Sequence, residues 1–233
     1  MYLRTLIFFA GWFALTLAVG IAAIPALASQ RAVWFASLAW ARLTLIWLRI
    51  TCGITSQVRG AEHLKGAKIV VCNHQSAWDT LMLWSMLKNP VFVLKRALFL
   101  IPIFGWYLKR TGQIGIDRAK PQGTIEQIIA LMKHYETQGR VLVIFPQGTR
   151  VKPGDSKPFK HGIGRISAAL GWPVVPAALN AGYFWPKKPI WKTSGTAVLE
   201  FLPPLPAPTG NHVSPWVNTL EKLVMEKAAT LTR

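Results

Sequence analysis

Acidic residues are scarce in this chain: nine Asp and Glu stand against 27 Lys and Arg in 233 residues, a formal net charge of +18. Charge of either sign is also sparse, at 15% of residues, where a soluble domain carries about 25%. Yet 52% of residues are hydrophobic, which rules out a disordered chain. The two cysteines, Cys52 and Cys72, form no CxxC pair. That argues against a disulfide framework and a cysteine-rich zinc site, and for a reducing compartment. The five histidines make no HxH or HExxH pattern, so no metal site is expected. There is no internal repeat, no low-complexity tract and no aromatic–basic nucleic-acid motif. An apolar chain this basic is expected to meet an anionic membrane surface rather than nucleic acid.

The apolar content is concentrated at the N-terminus. Residues 6–28 form 23 positions without a charge, and about 20 apolar residues are enough to cross a hydrocarbon core. A signal peptide has a shorter apolar region of about 7–15 residues, although Ala26-Leu27-Ala28 has the look of a cleavage site. Residues 32–48 form a second apolar stretch, interrupted only by Arg42, rich in Trp and flanked by Arg31 and Arg49. Trp and Arg suit the headgroup level. The two stretches predict a membrane-anchoring helical hairpin over residues 1–50; one spanning helix followed by an interfacial one is the alternative. Residues 51–233 hold 23 of the 27 basic residues. The side shared by the N-terminus and the main body is therefore expected to be cytoplasmic.

Residues 51–233 suit one domain with one core. Short apolar runs (68–72, 91–94, 113–116, 141–145, 174–179, 196–201) alternate with helical patterns (79–87, 124–138, 164–170, 215–231). This alternation predicts an α/β fold, a largely parallel or mixed β-sheet covered by helices. Ligands bind such sheets at the carboxyl ends of the strands. The loops after Cys72 and Phe145 are therefore the ones to inspect.

The first loop reads Asn73-His74-Gln75-Ser76-Ala77-Trp78-Asp79. Ser76 and Asp79 have the spacing of a helix capping box, which explains both without any function. It does not explain His74. A loop-to-helix turn can also bring a carboxylate five residues on back to the imidazole, fixing its tautomer and steadying its cation as in a His–Asp general-base pair. The second loop reads Pro146-Gln147-Gly148-Thr149-Arg150. Pro146 ends the strand, Gly148 permits close backbone approach, and Arg150 offers a planar fork for a phosphate.

Together the loops resemble those of the glycerolipid acyltransferases. NHQSAWD is similar to that family's N-H-x-x-x-x-D block, and FPQGTR to its F-P-E-G-T-R block. Gly115-Ile116-Asp117-Arg118 resembles the apolar–Asp–Arg segment between them. Phe159-Lys160-His161-Gly162 resembles the trailing F-K-x-G, and Val174-Val175-Pro176 the V-P block. The pattern is most like the bacterial 1-acyl-sn-glycerol-3-phosphate (lysophosphatidic acid) acyltransferases. There are two departures. Gln147 replaces the usual Glu, keeping an acceptor oxygen but losing the charge. Ala97 replaces the Glu of a K-x-E-L segment that begins here at Lys95.

The resemblance implies acyl transfer from acyl-CoA or acyl carrier protein, with no other cofactor, to the sn-2 hydroxyl of lysophosphatidic acid. The product would be phosphatidic acid, made at the cytoplasmic face of a bacterial inner membrane. It implies His74 as general base and Asp79 as its orienting partner. Substrate binding falls to Lys95, Arg118, Gln147, Gly148, Thr149, Arg150 and Lys160. Arg150 is the first choice for the phosphate, followed by Lys95 and Arg118. Backbone N–H groups near Gly148 are candidates for an oxyanion. Residues 98–108 line either an acyl channel or the core. Three rival readings are another lyso-lipid acceptor such as a lyso-ornithine lipid, a lipid-ester hydrolase, and a non-catalytic anionic-lipid-binding protein using Lys187, Lys188 and Lys192.

Overall fold

The computed structural model describes residues 2–117, 122–188, 190–210 and 212–231. The apolar N-terminus forms two helices, α1 (Tyr2–Ala22) and α2 (Gln30–Cys52), joined by a 3-10 turn over Ile24–Ala28 that holds Pro25. Ser29 caps α2, and Gly53 ends it in the left-handed conformation that a side chain resists. The helices are antiparallel. The Trp40 indole donates to Thr16 Oγ1 at 3.0 Å and the Trp47 indole to the Phe8 carbonyl at 3.2 Å. A Cβ on Gly11 would lie 2.4 Å from the Trp47 ring, so glycine permits that approach. Both helices are long and apolar enough to cross a membrane. Phe13, Leu17, Ile21, Leu43, Ile46 and Ile50 are exposed along them. Their other side is not free: Phe8, Ala41 and Leu48 are buried in one core with Val70 and Trp78 of the main body.

The sheet has seven strands: β1 (Ile54–Arg59), β2 (Ile69–Cys72), β3 (Pro90–Lys95), β4 (Ile114–Ile116), β5 (Val141–Ile144), β6 (Val174–Leu179) and β7 (Gly195–Phe201). Their order is β1-β7-β6-β2-β5-β3-β4. Strands β2 to β6 run parallel, β7 is antiparallel to β6, and β1 is parallel to β7. Side chains alternate across the sheet. Val70 and Cys72 enter the core beneath the hairpin and α3 (Ala77–Met86), whereas Ile69 and Val71 enter the core on the other face. That second face is covered by α5 (Thr124–His134), α6 (Gly162–Leu170) and α7 (Val213–Thr230), which follow α4 (Phe104–Arg110) in the chain.

The mixed, helix-covered sheet is the expected fold class. Two elements were not anticipated. Strand β1 (ITSQVR) is polar and lies at the sheet edge, where only part of one face is buried. Helix α4 begins inside the apolar run 98–108, whose continuous hydrophobicity hides any helical period. Its N-cap, Ile103, sits at φ 64, a strained conformation for a β-branched residue.

Candidate active site

Because β2 to β6 are parallel, their carboxyl ends share one edge. That edge receives residues 73–79 after β2, Lys95 ending β3, Asp117 after β4, residues 146–150 after β5 and residues 180–188 after β6. Segments far apart in sequence are thus gathered by strand register alone.

The β2 loop is built first by its own hydrogen bonds. Asp79 Oδ2 accepts from the Gln75 N–H at 2.7 Å and from the Ser76 N–H at 2.8 Å. Ser76 Oγ accepts from the Trp78 N–H at 3.1 Å, so the capping box forms. The same Oδ2 lies 2.9 Å from His74 Nδ1. The two readings of Asp79 are therefore not alternatives; one oxygen makes both sets of contacts. An oxygen already accepting two amide protons is an acceptor toward the ring too, so Nδ1 carries a proton, and in the neutral ring the lone pair is then on Nε2. Asp79 is fully buried, and the His74 side chain is 19% exposed.

The β5 loop holds His74 from the other side. Gln147 Oε1 accepts from the His74 backbone N–H at 2.8 Å, and the His74 carbonyl accepts from the Val151 N–H at 2.7 Å. The imidazole stacks on Phe145 with 4.1 Å between centroids. Gln147 is itself 1% exposed. Its carbonyl thus does here what one carboxylate oxygen of the family's usual Glu would do. A backbone N–H can only donate, so the amide NH2 is the end left over.

The turn after Gln147 is shaped by Gly148 at φ 70. The Gly148 N–H donates to the Phe145 carbonyl at 2.9 Å and so is already engaged. The Lys160 N–H donates to the Pro146 carbonyl at 3.1 Å, laying the Phe159-Lys160 segment along the turn. Lys160 Nζ would be 3.4 Å from a Cβ at Gly148. Arg150 is half-buried beside it, Lys95 ends β3 exposed at the same edge, and Thr149 accepts from Lys187. Arg118 lies outside the described residues.

Three residues that sequence reasoning passed over as site-builders tie β6 to this loop. The Asn73 side chain donates to the Leu179 carbonyl at 3.0 Å and accepts from the Leu179 N–H at 2.9 Å. Gln75 Oε1 accepts from the Gly182 N–H at 3.0 Å. A Cβ on Gly182 would meet Pro153 at 2.8 Å and Gln75 at 2.9 Å, so these segments interlock. Buried amides just past a strand end were the signal available in the sequence. Cys72, one residue earlier, is no nucleophile: burial, then the charge of Asp79, pushes its thiol well above the usual range.

An apolar cleft of about 460 Å³ lies between the hairpin and this edge. It is lined by Trp12 and Gly20 of α1, Ala77 and Trp84 of α3, Phe92 of β3 and Ile103. Phe92 stacks on Phe145, which stacks on His74, so aromatic rings connect the cleft wall to the imidazole. Among the described residues no group of three or more His, Cys, Asp and Glu is placed to hold a metal ion.

Comparison with known proteins adds to this geometry. Over 158 residues, 67% of this chain and 62% of the relative, the sequence is 35% identical to a 1-acyl-sn-glycerol-3-phosphate acyltransferase of Pseudomonas aeruginosa. It is 32% identical over 169 residues to human 1-acyl-sn-glycerol-3-phosphate acyltransferase alpha, covering 71% of this chain and 60% of that one. The matches thus span about three-fifths of these relatives' length. The fold is similar to the crystal structure of the 1-acyl-sn-glycerophosphate (LPA) acyltransferase PlsC from Thermotoga maritima. The TM-score is 0.76 at 21% identity, covering 99% of this chain and 95% of that one. The Acyltransferase family model matches residues 55–180, which contain both loops and the His74–Asp79 pair. The chain belongs to the Acyltransferase family.

Proposed function

We propose that this protein transfers a fatty acyl group from an acyl thioester to the sn-2 hydroxyl of lysophosphatidic acid, giving phosphatidic acid. The observation that carries the reading is the His74–Asp79 pair, held at a strand-end crevice with Nδ1 on Asp79 Oδ2. His74 Nε2 takes the hydroxyl proton as the oxygen attacks the thioester carbonyl. Asp79 steadies the imidazolium that forms. The tetrahedral intermediate collapses, the C–S bond breaks, and the imidazolium returns its proton to the leaving thiolate. No protein side chain is acylated. The Thr149 and Arg150 amides, which make no hydrogen bond among the described residues, are the donors open to the oxyanion.

Arg150, Lys160 and Lys95 supply positive charge at the same edge for the acceptor phosphate, with Gln147 and Thr149 completing the turn. The acyl chain belongs in the cleft beneath the hairpin, where apolar walls begin at Ala77, three residues after His74. A larger cavity of about 760 Å³ behind the loops is lined by Gln75, Gln147, Lys152 and Asp155 and is too polar for that role.

The hairpin's exposed apolar face, continued by Leu100, Ile101 and Trp106, supports a position of this edge against a bilayer. Lipid acceptor and acyl chain then reach the site from the membrane, and acyl-CoA or acyl carrier protein from the cytoplasmic side of a bacterial inner membrane. The basic body meets the anionic lipid surface.

The test is an assay of the detergent-purified protein with lysophosphatidic acid and each thioester carrier. Phosphatidic acid and free thiol in equal amounts are expected. Release of free fatty acid without diacyl product would make the protein a hydrolase and refute transfer.

A further inference from the structure

Lys187, Lys188 and Lys192 are neighbours in sequence, but the fold separates them. Lys192 is buried 3.6 Å from the centre of the Phe9 ring. Lys187 turns the other way, and its Nζ donates to Thr149 Oγ1 at 3.3 Å. Thirty-eight residues separate the two. Lys187 therefore approaches the Gly148–Arg150 turn from a segment outside the motifs of the family.

Its approach is not incidental to surface packing. The segment that carries it leaves β6 and is fastened to the His74 loop by Gly182 N–H on Gln75 Oε1. Gly182 is also wedged between Gln75 and Pro153. The segment closes through Thr193 N–H on the Phe184 carbonyl at 2.9 Å. The loop that places the base thus also places Lys187.

The turn consequently gathers two ammonium groups and bears a third basic residue itself. Lys160 Nζ lies over Gly148, Lys187 Nζ lies on Thr149, and Arg150 is next in the chain. None of the three forms an ion pair with a carboxylate among the described residues. Like charges assembled without a counter-charge repel one another, and a multiply charged anion relieves that repulsion. A phosphate monoester supplies close to two negative charges and three terminal oxygens at neutral pH. A phosphodiester supplies one charge and loses an oxygen to its second ester.

We propose that Lys187 is a binding residue for the acceptor's phosphate monoester and, with Arg150 and Lys160, selects monoester over diester lyso-lipids. This rests on the acyl-transfer reading above and goes further by assigning a phosphate contact, Lys187, from outside the family's motifs.

The experiment uses the full chain in detergent at saturating acyl thioester, with lysophosphatidic acid or lysophosphatidylglycerol as acceptor. Lys187→Gln is expected to raise the KM for lysophosphatidic acid about tenfold, a charge-assisted contact's worth, with kcat within about twofold. The KM for the thioester and the melting temperature should not change. Preference for the monoester over lysophosphatidylglycerol should shrink by about the same factor. Lys187→Arg should restore most of the loss. Lys188→Gln, which alters an adjacent exposed lysine, should match the native protein.

A native KM for lysophosphatidic acid in Lys187→Gln overturns the proposal. So does an equal rise in thioester KM, which would assign Lys187 to the donor's carrier, or an equal effect of Lys188→Gln, which would reduce it to diffuse surface charge. Native protein that acylates no lysophosphatidic acid would defeat the acyl-transfer reading itself. Native activity with an unaffected Lys187 variant would defeat only this inference.

Discussion

Asp79→Asn separates the electrostatic task of Asp79 from its structural one. The structure dictates how the new amide must sit. Two backbone N–H groups, from Gln75 and Ser76, point at Oδ2 at 2.7 and 2.8 Å. Turning the amide nitrogen toward them would leave both unpaired, so the oxygen of Asn must occupy that place. It then still accepts from His74 Nδ1, and the tautomer survives. What disappears is the negative charge opposite the imidazolium. A unit charge pair at this range in partly buried surroundings is worth on the order of 3–4 kcal/mol, or two to three orders of magnitude in turnover. That is a smaller loss than the roughly ten-thousandfold of a serine protease triad, where the tautomer is also wrong.

Stability falls as well. Two charge-assisted bonds become neutral, at about 1 kcal/mol each. The Asn nitrogen also lands where Oδ1 lies buried without a partner, at a further cost of about 1–3 kcal/mol. Melting should drop on the order of 5–15 °C. The assay is turnover at saturating substrates, well below the variant's melting temperature, beside a thermal melt and a His74→Ala control. A folded Asp79→Asn protein turning over within about threefold of native would leave Asp79 a helix cap and refute its part in catalysis. A loss of about ten-thousandfold would mean that the amide has turned over and the hydrogen-bond argument is wrong.

Other outcomes follow from the same geometry. Gln147→Glu keeps the acceptor for the His74 N–H and should retain activity within about tenfold. Gln147→Leu leaves that buried N–H unpaired at about 1–3 kcal/mol and should lower both melting temperature and turnover. Equal turnover in the two variants would show that the bond does not position His74. Arg150→Ala should raise the acceptor KM about ten- to a hundredfold with little change in the thioester KM, checked by steady-state kinetics. A Cβ on Gly20 would stand 2.9 Å from Ile103 on the cleft wall. Gly20→Leu should therefore shift preference toward shorter acyl chains, measured by competition among thioesters; an unchanged chain profile would place the chain elsewhere. Burial pushes the Lys192 ammonium down from 10.5 to about 8. Between those values the unfolded chain binds more protons than the folded one. The destabilisation is therefore full below about pH 8 and fades as pH rises toward 10.5. Lys192→Met should abolish this rise in stability, seen by comparing denaturation of the two proteins across that pH range.

Much of the protein is legible in the chain because the information is local. Uncharged runs, capping spacing and strand–helix alternation depend on neighbouring residues, so the hairpin, most strands and both loops can be read without coordinates. The residues of the His–Asp pair are also visible, five apart. What the sequence leaves open is convergence. The loops after β2 and β5 meet because these strands are sheet neighbours, and no local pattern states that register. Tertiary structure alone shows that one oxygen of Asp79 both caps α3 and holds His74, that the Gln147 carbonyl grips the His74 backbone, and that the Gly148 N–H is already engaged. It also divides three lysines that look alike in sequence: burial among rings takes Lys192, while Lys187 is carried to the turn by Gly182 and Gln75. Composition fixes how many charges a chain carries; packing decides which of them keep their water and which face one another.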